Sequence, residues 1–237
     1  MNPVLKRTLT GLAVGAVVIC AALFAPWRVL EVVMLVLSLL AFWEYSSLLE
    51  IKAREQGKKL SSMWCLVLLG FALIFAGIGM LAEIADVHAD EMCGPFRLGN
   101  VMLLYVIAIV KFSDVGGFAF GLTSAKLMKG GNHKLCPTIS PNKSWEGLFG
   151  SIFASCLVSC CFMGATGFGV VKSLVCGVTA ALVGTAGDLV ESKFKRWVGV
   201  KDSSTMKITN GMGGFLDMID SLLFAPAALY FLMGLKF

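Results

Sequence analysis

The sequence predicts an all-α fold, a polytopic bundle of transmembrane helices, and three observations carry that prediction. Hydrophobic residues make up 57% of the 237 positions and charged residues only 15%, whereas soluble domains carry about a quarter charged residues. Mean hydropathy is +0.84. The apolar residues gather into stretches near the roughly 20 residues that a spanning helix requires. About seven to nine spans account for the chain, and no polar segment is long enough for a separate soluble domain. Residues 1–237 therefore read as one integral membrane domain, with N-terminal spans over 1–110 and a site-bearing part over 111–237.

The elements follow in order. The first apolar stretch, 8–26, follows Lys6 and Arg7. It reads as a span rather than a cleaved signal peptide, because the run is long and another hydrophobic segment follows almost at once. Pro26 separates it from 28–49, so this pair is either two spans or a broken hairpin. The stretches 62–82, 97–121, 147–165, 169–190 and 213–235 follow, the second of these interrupted by Lys111 and Asp114.

Loop charge orients the bundle. Lys52, Arg54, Lys58 and Lys59 follow the second stretch, Lys126, Lys129, Lys134 and Lys143 the fourth, and a dense cluster the sixth. The alternate loops hold Arg28, then mostly acidic residues from Glu83 to Arg97, then an uncharged turn near Gly164–Gly169. Lysine and arginine mark the cytoplasmic side. The N-terminus is therefore expected inside, with loops 122–146 and 191–212 facing the cytoplasm.

Eight cysteines, mostly within apolar helices, form no CxxC pair and read as small packing residues. His88 and His133 fall on opposite expected sides, which excludes a histidine triad or a zinc site.

Two patterns point to chemistry. The first is charge at membrane depth, which is expensive and defaults to function. Lys111 and Asp114 lie one helical turn apart, Asp188 ends the sixth stretch, and Asp217 and Asp220 open the seventh. A pair that only packs helices is the plain alternative for Lys111 and Asp114. For Asp217 with Asp220, two like charges on one face call for a cation between them. The second pattern is glycine: Gly211, Gly213 and Gly214 precede that last helix. Open N–H groups at a helix start form an anion site, although such a turn is also a plain helix start. Carboxylates beside a phosphate cradle suit Mg²⁺. If the sixth helix continues past Asp188, then Asp188, Glu191, Ser192 and Lys195 form one polar stripe, flanked by Lys193 and Arg196. A juxtamembrane basic cluster on anionic headgroups is the simpler reading of those cations.

At these residues the chain resembles the phosphatidate cytidylyltransferase family, also called CDP-diacylglycerol synthase. The family signature runs Ser-x-hydrophobic-Lys-Arg, four residues, Lys-Asp, a short loop, then His-Gly-Gly-hydrophobic-x-Asp-Arg-hydrophobic-Asp. Here it reads Ser192, Phe194, Lys195, Arg196, then Lys201, Asp202, then Gly213, Gly214, Phe215, Asp217, Ile219, Asp220. Asp114 to Phe118 is similar to a second family block, and HKLCPTISPNKSWEG, from His133 to Gly147, to a third. Trp43-Glu44-Tyr45 matches a Trp-Glu motif closing the second span. The resemblance is strongest over 111–225 and weak over 60–100. Two positions depart from the pattern: Met212 stands for the family's histidine and Met218 for its arginine. Met218 removes a phosphate-binding cation, for which the inserted Lys207 is a candidate replacement.

The resemblance implies transfer of CMP from CTP to phosphatidate, giving CDP-diacylglycerol and pyrophosphate in phospholipid biosynthesis. It implies Asp188 and Asp217 as metal ligands, with Asp220 and Asp114 as further members of that site. Mg²⁺ is the implied cofactor, with room for a second cation. Lys195, Arg196 and Lys201 would bind CTP or lipid phosphates, with Ser192, Asp202, Gly213 and Gly214 beside them. Ser140, Lys143 and Glu146 would belong to a loop closing over the nucleotide. The expected partners are CTP, bilayer phosphatidate and a second copy in a homodimer, with no nucleic acid. The expected setting is the bacterial inner membrane, with the site facing the cytoplasm. The alternatives are a related enzyme acting on a polyprenyl lipid, as cytidylyltransferase or kinase, and a membrane transporter or scaffold.

Overall fold

The protein is described here by a computed structural model covering residues 15, 17–87, 90–128, 131–200 and 214–234. Lys201, Asp202, Lys207, Gly211, Met212 and Gly213 lie outside the described residues, as do Lys6, Arg7, His88 and Lys129.

Every apolar stretch named above is helical where described. Helical turns over 17–24 end at Pro26, the N-cap of α1 (Trp27–Glu55). A 3₁₀ turn, Leu60–Met63, leads into α2 (Trp64–Asp86). A two-stranded hairpin, β1 (Met92–Cys93) with β2 (Phe96–Arg97), precedes α3 (Leu98–Leu127). A second hairpin, β3 (Lys134–Cys136) with β4 (Ser140–Ser144), leads into α4 (Trp145–Cys161). After a single turn at Met163–Thr166 come α5 (Val170–Val198) and α6 (Phe215–Met233). Among the described residues, α1, α2, α3, α5 and α6 are long and apolar enough to cross a bilayer, while α4 is shorter at 17 residues. The protein is an integral membrane protein of all-α architecture.

Lys111 and Asp114 do not interrupt the fourth stretch. α3 runs unbroken through both, because their polar ends find partners on α6 and the helix loses none of its own bonds. It also crosses positions 110 and 111, so the N-terminal spans and the site-bearing part share one core. That core joins Ile74 and Leu81 of α2, Tyr105 and Ile109 of α3, Ala180 of α5 and Leu229 of α6. Outward residues such as Val32, Leu68, Phe118, Phe149 and Val171 stay exposed, as a lipid-facing surface requires.

Small residues let the helices approach. Tyr105 Oη and Ser159 Oγ lie 2.8 Å apart, and Ser159 donates to the Ser173 carbonyl at 2.7 Å. Ser155 reaches the Gly177 carbonyl at 2.8 Å. Such hydrogen bonds and small-residue contacts are what hold helices together where no hydrophobic force acts between them. Where α3 crosses α4, a Cβ on Gly150 would collide with the Phe120 ring and meet the Gly116 carbonyl at 2.7 Å. Gly150→Val is therefore expected to destabilise the bundle by about 1–3 kcal/mol or more. Gly79→Ala, with open space around it, serves as the control. Thermal unfolding in detergent should show a lowered midpoint for the first only.

The connections sort onto two faces. At one, Cys93 Sγ approaches the Ala165 carbonyl at 3.6 Å, and Asn100 donates to the Leu23 and Ala25 carbonyls. Lys172 donates to the Met233 carbonyl there at 2.7 Å. The opposite, polar face gathers the β3–β4 hairpin, the C-terminal half of α5 and the start of α6. All eight cysteines are free.

Candidate active site

A cleft of about 270 Å³ opens on the polar face between α3, the β3–β4 hairpin and α5, with Asp114, Phe118, Ser140, Lys143, Thr185 and Asp188 in its wall. The hairpin is fastened at its end. Ser144 caps α4 by accepting the Gly147 N–H at 3.1 Å. Glu146 accepts the His133 backbone N–H at 3.1 Å, and His133 Nδ1 lies 2.7 Å from its carboxylate. That ring contact holds the Glu146 carboxyl below the ordinary carboxylate range. Fastening the hairpin presents Lys143 to α5, where its ammonium donates to Asp188 Oδ2 at 2.8 Å and to the Thr185 carbonyl at 3.1 Å.

Asp188 meets α6 as well. A Cβ on Gly187 would lie 2.9 Å from the Asp220 carbonyl, so the absence of a side chain there brings the two helices together. Asp220 then stands beside Asp188, close enough for the two carboxylates to interact. Asp188 Oδ1 is buried and makes no hydrogen bond. On the other side, Lys111 Nζ donates to the Met218 carbonyl and to Ser221 Oγ, each at 2.9 Å, and lies 3.4 Å from Asp114 Oδ2. Ser221 Oγ in turn donates to Asp114 Oδ2 at 3.1 Å.

A second polar cluster sits around the start of α6. Lys195 Nζ lies 2.5 Å from Glu191 and 2.5 Å from Asp217 Oδ1. Asp217 Oδ2 accepts the Gly214 N–H at 3.2 Å. Glu44, fully buried in α1, accepts the Leu216 N–H at 2.9 Å. Tyr45, beside it, stacks on Phe194 of α5 at 4.8 Å and donates to the Leu66 carbonyl at 3.0 Å.

These contacts bear on two expectations. The Gly214 N–H does not stand open as part of a phosphate cradle: the protein's own Asp217 occupies it, and Glu44 takes the Leu216 N–H. Nor do Asp217 and Asp220 turn toward each other. Asp217 turns to Lys195 and Glu191, while Asp220 turns to Asp188. The expected metal set of Asp188, Asp217, Asp220 and Asp114 is thus divided, with Asp188 and Asp220 together and Asp114 held by Lys111 and Ser221. Among the described residues no three carboxylate, histidine or cysteine side chains converge as metal ligands. Two carboxylates still suit Mg²⁺, which keeps waters and takes further oxygens from substrate phosphates. The buried Asp188 Oδ1 without a hydrogen bond fits such an ion.

Of the other expected residues, Ser192 and Lys195 are half-buried on the inward stripe with buried Glu191, and Arg196 is exposed beside it. Ser140 lines the cleft. Glu146 does not; it anchors the hairpin instead. Sequence reasoning missed Ser221 and the capping role of Glu44. A carboxylate inside an apolar run was the available signal for Glu44, whereas a serine next to Asp220 carries none. A wider recess of about 570 Å³ at the opposite face is lined by apolar residues and Lys172. It brings no carboxylate to that lysine and is not the site.

Comparison with known proteins gives the family. Over 133 residues the chain is 43% identical to a phosphatidate cytidylyltransferase of Staphylococcus aureus (strain COL), covering 55% of this chain and 48% of that protein. Proteins of the same name from Staphylococcus saprophyticus and Staphylococcus haemolyticus (strain JCSC1435) are 41% identical over the same length and shares. The chain spans about half the length of the curated relatives it matches. The sequence profile of the cytidylyltransferase family matches residues 61–235, which include α2 to α6 and every site residue named above except Glu44 and Tyr45. The chain belongs to the cytidylyltransferase family.

Proposed function

We propose that the chain is a phosphatidate cytidylyltransferase, which joins CTP and phosphatidate to give CDP-diacylglycerol and pyrophosphate. The observation that carries this reading is the meeting of Lys143, Asp188 and Asp220 at one polar face of an otherwise apolar bundle. That face is proposed to look onto the cytoplasm. It bears Lys52, Arg54, Lys143, Lys193, Lys195 and Arg196, whereas the opposite face sets Glu83, Asp86, Asp90 and Glu91 against Arg28, Arg97 and Lys172, the asymmetry expected of membrane orientation.

In the reaction a phosphatidate oxygen attacks the α-phosphorus of CTP, the bond to the β-phosphate oxygen breaks, and pyrophosphate leaves. A phosphomonoester has its second pKa near 6, so the attacking group is already largely ionised and needs no strong base. The obstacle is repulsion between anions. Lys143 answers part of it by bringing a cation into the cleft from the soluble side, where CTP arrives. Ser140 in the cleft wall is positioned to accept or donate a hydrogen bond to the nucleotide. Arg196, exposed at the end of α5, adds positive charge at the rim. Asp188 and Asp220 would hold Mg²⁺, which when bound neutralises and orients phosphate oxygens. Lys195 draws Glu191 and Asp217 together and so fixes the start of α6, from which Asp220 projects.

Purified protein incubated with CTP, Mg²⁺ and a panel of lipid acceptors tests this reading by mass spectrometry of the products. CDP-diacylglycerol from phosphatidate is the expected result. Product from a polyprenyl acceptor alone would select a related lipid enzyme, and no product from any acceptor would remove the enzyme reading. Chelating divalent cations is expected to stop product formation, and Mg²⁺ to restore it.

A further inference from the structure

We propose that Lys111 binds the phosphate group of the lipid substrate at a lateral opening between α3 and α6. The inference rests on the cytidylyltransferase reading and names the residue that serves its lipid side.

Lys111 lies one helical turn farther from the polar face than Asp114, on a helix that continues to Leu127. Its ammonium is therefore well below the cleft mouth. Two of its three contacts, the Met218 carbonyl and the Ser221 hydroxyl, are uncharged. The third, Asp114, is long at 3.4 Å, and that oxygen is shared with Ser221. The Lys111 side chain is 36% exposed. Around it the surface is apolar and open, with Phe112, Val115, Phe118 and Met218 all exposed. An ammonium at this depth is costly unless it is neutralised, and here its one direct ion-pair contact, Asp114, is long.

An anion carrying apolar chains, arriving from the bilayer, would complete the site. Its phosphate would meet Lys111 after passing the apolar wall of Val115 and Phe118, and its acyl chains would extend from there toward the middle of the bilayer. CTP has another route, from the soluble side past Lys143. The two lysines thus flank the Asp188–Asp220 pair, one reaching it from the aqueous cleft and the other facing the lipid. The signature that this chain resembles has an arginine where Met218 stands. Lys111 sets its ammonium 2.9 Å from the backbone carbonyl of that residue.

The test uses Lys111→Met, Lys111→Arg and the double variant K111M/M218R. Phosphatidate and CTP are varied separately in mixed micelles, and phosphatidate binding is measured without CTP. For Lys111→Met the KM for phosphatidate should rise about tenfold or more, the scale of one charge-assisted contact, with the KM for CTP unchanged. Lys111→Arg and the double variant should recover most of the loss. An unchanged phosphatidate KM in Lys111→Met, or an equal rise for CTP, would overturn the proposal. Were the wild type inactive, the parent reading would fall. Lys111-dependent binding of phosphatidate, absent for diacylglycerol, would still support this one, and Lys111-independent binding would end it.

Discussion

Asp188→Asn is expected to lower turnover at least about a hundredfold while leaving the bundle folded. Asp188 is where the hairpin, α5 and α6 converge: Lys143 donates to one oxygen, Asp220 stands beside it, and the other oxygen is buried without a hydrogen bond. Asparagine keeps the shape and an acceptor for Lys143, so the hairpin contact survives. What it removes is the negative charge that a cation and the surrounding lysines require. The measurement is kcat beside the thermal midpoint of the same preparation. Wild-type kcat would take Asp188 out of the chemistry. Loss of both kcat and midpoint would make its role structural.

The second large effect is expected at Lys195, and it is one of stability. Glu191 is 6% exposed, and the Lys195 ammonium lies 2.5 Å from both it and Asp217. Removing one partner of a buried ionic group leaves uncompensated charge and costs about 3–5 kcal/mol. Lys195→Met should therefore lower the unfolding midpoint sharply, and activity should fall with it. Adding Glu191→Gln to that variant removes one of the stranded charges and should recover part of the midpoint. A single variant as stable as wild type would show that the carboxylates find other partners.

The bundle was legible in the sequence because hydropathy at the scale of a bilayer is a local signal. Each apolar stretch is a helix where described, and even the break at Pro26 falls as proline chemistry predicts. The inward stripe of Asp188, Glu191, Ser192 and Lys195 was legible for the same reason, since its period belongs to one helix. Pairings between helices were not. That Lys143 crosses to Asp188, that Lys111 reaches α6 as well as Asp114, and that Glu44 caps a helix 172 residues away depend on how helices cross. Gly187 illustrates this: in the sequence it is one more glycine, whereas in the fold it sets Asp188 against Asp220. The division of the aspartates into two groups likewise follows from which helix each faces. Spacing alone favoured Asp217 and Asp220 as one unit.

The central claim, attack of a lipid phosphate on the α-phosphorus of CTP, is tested most directly by following the label. CTP labelled at the α-phosphorus or at the γ-phosphorus is given to the purified protein with phosphatidate and Mg²⁺, and the lipid fraction is extracted. Transfer of a cytidylyl group predicts label in the lipid from α-labelled CTP only, with one pyrophosphate released for each lipid labelled. Lipid labelled from the γ-position, which is phosphoryl transfer by a kinase, or no labelled lipid from either nucleotide, would contradict it.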